Sequence, residues 1–220
     1  RAVDSLLAQD YGHFELIISD NGSEDTTEAI CRRYAAADER VQFHRNESNA
    51  GATANFNRVF DLSTGDYFMW AAHDDFWAPE YVRTCLELLL ESDSIVLAGC
   101  SGKLVDGETG EHIDTDRGIS TRGMGPYDRF RLHKLTLHDR RNYNVVFYGL
   151  YRRASLNRVM PFRKVISSDH LLLAELAMWG EFDTHPEALM IKRRGGASRS
   201  YRDNANALGI SNPLLLASPM

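Results

Sequence analysis

An α/β fold with a mostly parallel central sheet flanked by helices is predicted by three features of this sequence. Over residues 1–100, short apolar runs alternate with segments of helical period. Strands alternating with helices imply parallel pairing through right-handed crossovers. The polar clusters "DNGSED" and "HDD" both fall at the carboxyl ends of strand runs, where sheets of this kind bind ligands.

The elements follow in order. A helix opens at Arg1, and "FELIIS", residues 14–19, is a strand ended by the turn "DNGSED". Asp25 with Glu28 has the spacing of a capping box, and Ile30, Tyr34 and Ala37 recur on the helix it would open. "VQFHR" is the second strand and "NESNAG" its loop. A helix over 52–62 then turns Phe56, Val59 and Phe60 inward. Residues 66–72 read as a strand, "HDDFW" as a loop, and Pro79 opens a helix that runs to about Ser92. "SIVLAGC" is the next strand. Beyond Cys100, "KLVDGETGEHI" reads as a hairpin, and residues 117–141 show no clean period. "NVVFYGLYRR" is a strand candidate. "SSDHLLLAELAMWG" is a helix with Leu171, Leu172, Glu175, Leu176 and Trp179 along it, and "ALMIKRR" is a last strand. This organisation suggests one continuous domain with functional halves at 1–100 and 101–202, and a tail at 203–220.

Composition narrows the function. The chain has 220 residues, 43% of them hydrophobic, which suits a folded core and not disorder. Its formal net charge of -6 lacks the basic field of a nucleic-acid binder. No apolar run approaches the roughly 20 residues that cross a bilayer, and no signal-peptide pattern opens the chain, so a cytoplasmic domain is expected. Cys31, Cys85 and Cys100 show no CxxC spacing, which points to buried, reduced thiols rather than a disulfide framework or zinc site.

The stretch "WAAHDDFWAPE", residues 70–80, sets His73, Asp74 and Asp75 directly after an apolar run. Adjacent carboxylates repel unless a cation lies between them, and a hard divalent cation suits carboxylate oxygens. No GxGxxG or GxxxxGK[ST] loop occurs, so dinucleotide and P-loop readings lack their defining features.

Three blocks in order, "LLAQDYGHFELIISDNGSEDTTEAI", "NESNAGATANFNRVFDLSTGDYFMWAAHDDFWAPEYV" and "SSDHLLLAELAMWG", resemble the family 2 inverting glycosyltransferases of GT-A fold over most of residues 3–200. The family begins with an apolar strand and a Pro-x-Tyr-Asn type loop ahead of the helix that opens here at Arg1, so one wall of the nucleotide pocket is expected outside this segment. Its metal motif is often Asp-x-Asp-Asp, whereas Ala72 holds the first of those positions here and His73 the variable one.

The resemblance implies a nucleoside-diphosphate sugar donor, a saccharide or lipid-linked acceptor, and a divalent cation, Mn2+ or Mg2+. Asp20 and Asn21 would meet the base and ribose, although an Asx turn also explains them. Asn49, Gly51 and Asn55 would face the nucleotide from a helix start, or serve as a turn and cap. Asp75 would hold the metal, with Asp74 toward metal, ribose or sugar and His73 either behind the metal ligands or in the pocket wall. Asp169 would be the catalytic base, against an ordinary helix N-terminal acid, and His170 is a neighbouring alternative. Arg193 and Arg194 would lie near the diphosphate, or simply end a solvated strand. Trp70, Phe76, Trp77 and Tyr148 could stack on a sugar, Trp70 being the one best read as core. Peripheral attachment at the inner membrane face is compatible with such acceptors. The rival readings are a sugar nucleotidyltransferase and a nucleotide-sugar-binding domain without turnover.

Overall fold

The computed structural model describes residues 1–136 and 145–195; the expected tail at 203–220 lies outside them. In chain order the elements are α1 (Ala2–Leu7), β1 (Leu16–Asp20), α2 (Thr27–Ala37), β2 (Val41–Arg45), α3 (Ala52–Leu62), β3 (Tyr67–Phe68), β4 (Phe76–Trp77), α4 (Tyr81–Glu91), β5 (Ile95–Asp106), β6 (His112–Asp116), α5 (Pro126–Thr136), a 3-10 turn (Val145–Tyr148), β7 (Leu150–Arg152), α6 (Arg153–Leu156), α7 (Ser168–Ala177) and β8 (Glu181–Arg194). They form two compact units of interleaved segments. One contains His13–Gly65 and Pro161–Ser168; the other contains Arg1–Gly12, Asp66–Met160 and the described residues from Asp169 onward. These units do not coincide with functional halves at 1–100 and 101–202.

In the first unit β1 pairs in parallel with β2, from Leu16 opposite Val41 to Asp20 opposite Arg45. The bounds of β2 and α3 are those the sequence predicts. The start of α2 differs. Asp25 Oδ1 accepts the Thr27 N–H at 2.9 Å, while Glu28 turns to Arg32 at 2.8 Å and Arg45 at 3.2 Å, so no capping box forms. A guanidinium is a stronger partner for the Glu28 carboxylate than a backbone amide. The helix buries Cys31 and leaves Ile30 40% exposed, a face rotated by one position from the expected one. On α3, Phe60 is buried, Phe56 stacks on Phe162 with ring centroids 5.3 Å apart, and Asn57 exchanges two hydrogen bonds with the Phe162 backbone.

The second unit holds a six-stranded sheet in the order β3-β7-β5-β8-β4, with β6 also on β5. Its centre is β5, buried almost continuously from Ile95 to Gly102, the pattern of a strand covered on both faces. One edge of β5 runs parallel to β8 from Ile95 to Asp106. The other edge takes β7 and then β6, both antiparallel; β3 on β7 and β4 on β8 are antiparallel as well. The sheet is thus mixed, with parallel pairing confined to β1/β2 and β5/β8 among the described strands.

Three expectations change for identifiable reasons. Only Tyr67 and Phe68 of the 66–72 run pair as a strand; beyond them the Trp70 ring leaves for the core, stacked on Phe147 at 5.1 Å and edge-on to Phe68 and Tyr151. The run "NVVFYGLYRR" is broken into the 3-10 turn and β7 at Gly149, where a Cβ would meet the Ala98 carbonyl oxygen at 2.4 Å. In α7 the buried residues are Leu172, Leu173, Leu176 and Ala177, while Trp179 beyond its end is 53% exposed under the Arg158 guanidinium. The predicted "KLVDGETGEHI" hairpin forms as β5/β6. All three cysteines are buried and free.

Candidate active site

In the first unit, the residues expected to face a nucleotide form a mutual hydrogen-bond network. Asp20 ends β1 with its side chain buried. It accepts from the Ser23 N–H at 3.1 Å and hydroxyl at 2.5 Å, and from Arg45 Nε at 3.0 Å. Burial raises its pKa, but these Ser23 and Arg45 bonds outweigh it and hold the carboxyl below its ordinary value. Asn21 Nδ2 donates to Asn49 Oδ1 at 2.8 Å, and Asn21 Oδ1 accepts from Asn46 Nδ2 at 2.8 Å and the Ala50 N–H at 3.0 Å. Asn55 accepts from the Ser19 hydroxyl at 2.7 Å and donates to the Ser19 carbonyl at 3.0 Å. The network draws the β1 loop against the β2–α3 loop, so closely that a Cβ on Gly22 (φ 79°) would lie 2.9 Å from the Ser48 carbonyl carbon. Gly51 (φ 86°) takes the N-cap of α3 with no side-chain cap bond, its own N–H going to Asn49 Oδ1 at 2.9 Å.

In the second unit, the surroundings of "HDD" are set by β4 and β8. Asp75 immediately precedes β4, which is held on β8 by Phe76 opposite Ile191 and Trp77 opposite Met190. Asp75 is 2% exposed and its Oδ1 accepts the Arg193 N–H at 3.0 Å. Burial pushes its pKa up, opposed by the Lys192 charge and that amide. Asp74 is half-buried, with His73 Nδ1 3.9 Å away and the His73 side chain 86% exposed. Lys192 reaches into the same region from β8. Its Nζ lies 4.1 Å from the centroid of the Tyr148 ring. Burial lowers the Lys192 pKa, and the carboxylates of Asp75, Asp169, Asp74 and Asp116 oppose that shift. The same burial and the fields of Asp75, Asp169 and Asp74 push the Tyr148 hydroxyl well above its ordinary value.

Asp169, in the first turn of α7, acts on the same Lys192 and Tyr148 side chains as Asp74 and Asp75. The chain enters this helix through Ser167, whose φ of 56° makes it the one non-glycine with positive φ among the described residues. α5 lies along α7 and fixes both its ends. His133 Nε2 donates to the His170 carbonyl at 3.1 Å, and buried Arg129 donates to the carbonyls of Ala177 at 2.6 Å and Met178 at 3.5 Å. A guanidinium at the last carbonyls of a helix also suits its dipole. These polar buried residues explain why no apolar period announces α5: its aromatic residues Tyr127 and Phe130 face outward, 72% and 39% exposed.

Burial lowers the His133 pKa to about 4, against the favourable His170 hydrogen bond. The unfolded chain then binds one proton more than the folded chain between its ordinary 6.5 and about 4. His133 thus favours the fold fully above that window, and stability falls as pH drops through it, by at most ~1.4 kcal/mol per pH unit. Urea midpoints of His133→Gln at pH 7, 6 and 5 should decline less steeply than those of the parent. Parallel slopes would remove His133 as a source of acid sensitivity.

Arg193 meets Asp75 through its backbone N–H. The Arg193 guanidinium donates to the Gly107 carbonyl at the hairpin, and the exposed Arg194 accepts the Gly107 N–H on its own carbonyl at 3.0 Å. The residues that sequence reasoning missed are Lys192, the lone lysine of the apolar "ALMIKRR" run, and Asp116, whose carboxylate accepts the Gly118 and Val145 N–H groups. Among the described residues no three His, Cys, Asp or Glu side chains assemble into a metal cage. Asp74 and Asp75 by themselves supply hard oxygen donors, which fit a divalent cation whose other oxygens come from water or a ligand. No helix among the described residues is long and apolar enough to cross a membrane.

The chain is 34% identical over 154 residues to the uncharacterized glycosyltransferase YibD of Escherichia coli (strain K12), an overlap of 69% of this chain and 43% of YibD. It is 25% identical over 158 residues to the GalNAc(5)-diNAcBac-PP-undecaprenol beta-1,3-glucosyltransferase of Campylobacter jejuni, covering 68% of this chain and 51% of that protein. The chain thus spans about half, or less, of these relatives. Among solved structures, S. aureus TarS 1-349 in complex with UDP superposes with a TM-score of 0.64 at 18% identity, over 95% of this chain and 60% of that one. The Pyrobaculum calidifontis mannosyltransferase PcManGT in complex with GDP-Man and Mn2+ gives 0.60 at 16% identity, over 99% and 60%. These likenesses show the GT-A fold. The profile of Glycosyl transferase family 2 matches residues 1–160, and the chain belongs to that family.

Proposed function

We propose that the protein transfers a sugar from a nucleoside-diphosphate donor to an acceptor hydroxyl with inversion, using Asp169 as base and a Mn2+ or Mg2+ ion held by Asp75 and Asp74. The observation that carries this reading is that the charges of Asp74, Asp75 and Asp169 bear on the same two neighbouring side chains, Lys192 and Tyr148, in a family 2 chain. In the transfer the Asp169 carboxylate takes the acceptor O–H proton as that oxygen attacks the anomeric carbon. The bond from that carbon to the diphosphate breaks, and its electron pair stays on the leaving diphosphate. A cation bound at Asp74 and Asp75 would supply Lewis-acid stabilisation of that leaving charge.

Asp20, Asn21, Asn49, Gly51 and Asn55 form the donor-side wall in this reading, with residues 1–100 as donor half and 101–202 as acceptor half. Their internal hydrogen bonds set the wall's shape, and the one acceptor position that Ser23 and Arg45 leave on Asp20 serves for recognition. The UDP and GDP-Man complexes of the two structural neighbours favour a nucleotide-sugar donor, and the mannosyltransferase's Mn2+ favours a divalent cation. The undecaprenol-linked substrate named for the Campylobacter relative favours a saccharide or lipid-linked acceptor and work at the inner membrane face. A ligand that binds only the native state stabilises it, by ~2.7 kcal/mol at 100 times its Kd. Thermal melts with UDP-, GDP- and dTDP-sugars, each with Mn2+ or chelator, should therefore show one donor class raising Tm only with metal. No shift from any donor would count against the nucleotide-sugar reading.

A further inference from the structure

We propose that Lys192 is the residue that takes the oxygens of the donor's diphosphate, a role the sequence suggests for Arg193 and Arg194; the inference rests on the glycosyl-transfer reading above. Side chains alternate faces along a strand, so on β8 Lys192 leaves on the face opposite to Ile191 and Arg193. The Arg193 guanidinium is committed at the hairpin, and Arg194, although on the Lys192 face, is exposed with its charge acting on Asp106. Arg193 is bonded through its guanidinium to Gly107 and through its N–H to Asp75, and the Arg194 backbone holds Gly107. Lys192 has no such commitment. Among the described residues its ammonium makes no hydrogen bond and no ion pair within 4.0 Å, resting only on the Tyr148 ring at 4.1 Å. Burial lowers its pKa, and the fields of Asp75, Asp169, Asp74 and Asp116 oppose that shift.

An ammonium with three unused donors, in the field of the aspartates proposed to hold the metal and of the aspartate proposed as base, suits the neutralisation of leaving charge. Four carboxylates without it would repel a diphosphate; with it, and with a divalent cation on Asp75 and Asp74, the same site accepts one. Neighbouring Arg193 keeps the geometry, because its N–H holds Asp75 in place whatever side chain stands at 192.

The test is calorimetric and needs no turnover. UDP and GDP are titrated with Mn2+ into the full chain and into Lys192→Met, Lys192→Gln and Lys192→Arg, alongside uridine, guanosine and bare Mn2+. Loss of a charge-assisted contact should weaken binding of the preferred diphosphate roughly 10-fold or more in Lys192→Met and Lys192→Gln. Lys192→Arg should recover part of it, and nucleoside and bare Mn2+ binding should stay at the parental level. Far-UV spectra and Tm confirm folding, and Lys192→Gln carries the test if the methionine variant does not fold. Diphosphate affinity within twofold of the parent in the uncharged variants would overturn the proposal while leaving the family reading intact. Loss of bare Mn2+ binding would also overturn it, by making Lys192 a support for Asp75. If the parent binds neither nucleotide, both the glycosyl-transfer reading and this inference fall.

Discussion

Asp169→Asn is expected to leave donor binding intact and to lower transfer roughly 100-fold or more, the usual effect of losing a general base. The amide keeps the volume and polarity of the carboxylate at the start of α7, but it cannot take the acceptor proton. The scaffold around it should persist, since α7 is held from α5 through the His170, Ala177 and Met178 carbonyls, none of which involves the residue 169 side chain. Single-turnover transfer and nucleotide calorimetry on the same preparation separate the outcomes. Near-normal transfer would reduce Asp169 to a helix-terminal acid and direct attention to His170. Loss of metal-dependent nucleotide binding would place Asp169 on the donor side and end the division into donor and acceptor halves.

Asp75→Ala should give the opposite pattern: the gain in nucleotide affinity from Mn2+ over chelator disappears, and transfer falls with it. Part of that loss could come from the freed Arg193 N–H, which now ends on Asp75 Oδ1 at 3.0 Å. Asp75→Asn separates the two contributions, because its amide oxygen can still accept that bond but carries no charge for a cation. Metal-dependent affinity should be lost in both variants. Its retention in Asp75→Asn would mean that the carboxylate serves the β4–β8 junction alone and that the cation is held elsewhere.

The same junction shows how far local sequence reaches. "VQFHR" and the helix over 52–62 have the bounds their patterns predict, because each is a short amphipathic element whose partner is close in the chain. The glycosyltransferase blocks were equally legible: adjacent acids after an apolar run, and a polar turn after a strand, are statements about neighbours along the chain. The asparagines of "NESNAG" were visible too, but their use was not. That Asn21 bonds Asn46, Asn49 and the Ala50 amide depends on the β1 and β2–α3 loops meeting in space.

α5 was not legible, because the residues it buries are Arg129 and His133. Their burial is tolerated through carbonyl partners on α7, about forty to fifty positions away in the chain. The sheet's mixed direction was hidden for a related reason. Apolar alternation marks a strand but not its orientation, and the antiparallel returns of β3, β4 and β7 occupy only two or three residues each. By itself, then, the sequence determined the α/β class, the family and the short motifs in which chemistry-bearing residues are chain neighbours. Only the tertiary structure decided that Lys192, and not Arg193, comes under the charges of Asp75, Asp169, Asp74 and Asp116. That choice follows from strand parity and from the Gly107 carbonyl holding the Arg193 guanidinium, two facts of pairing between β5 and β8 that no local pattern encodes.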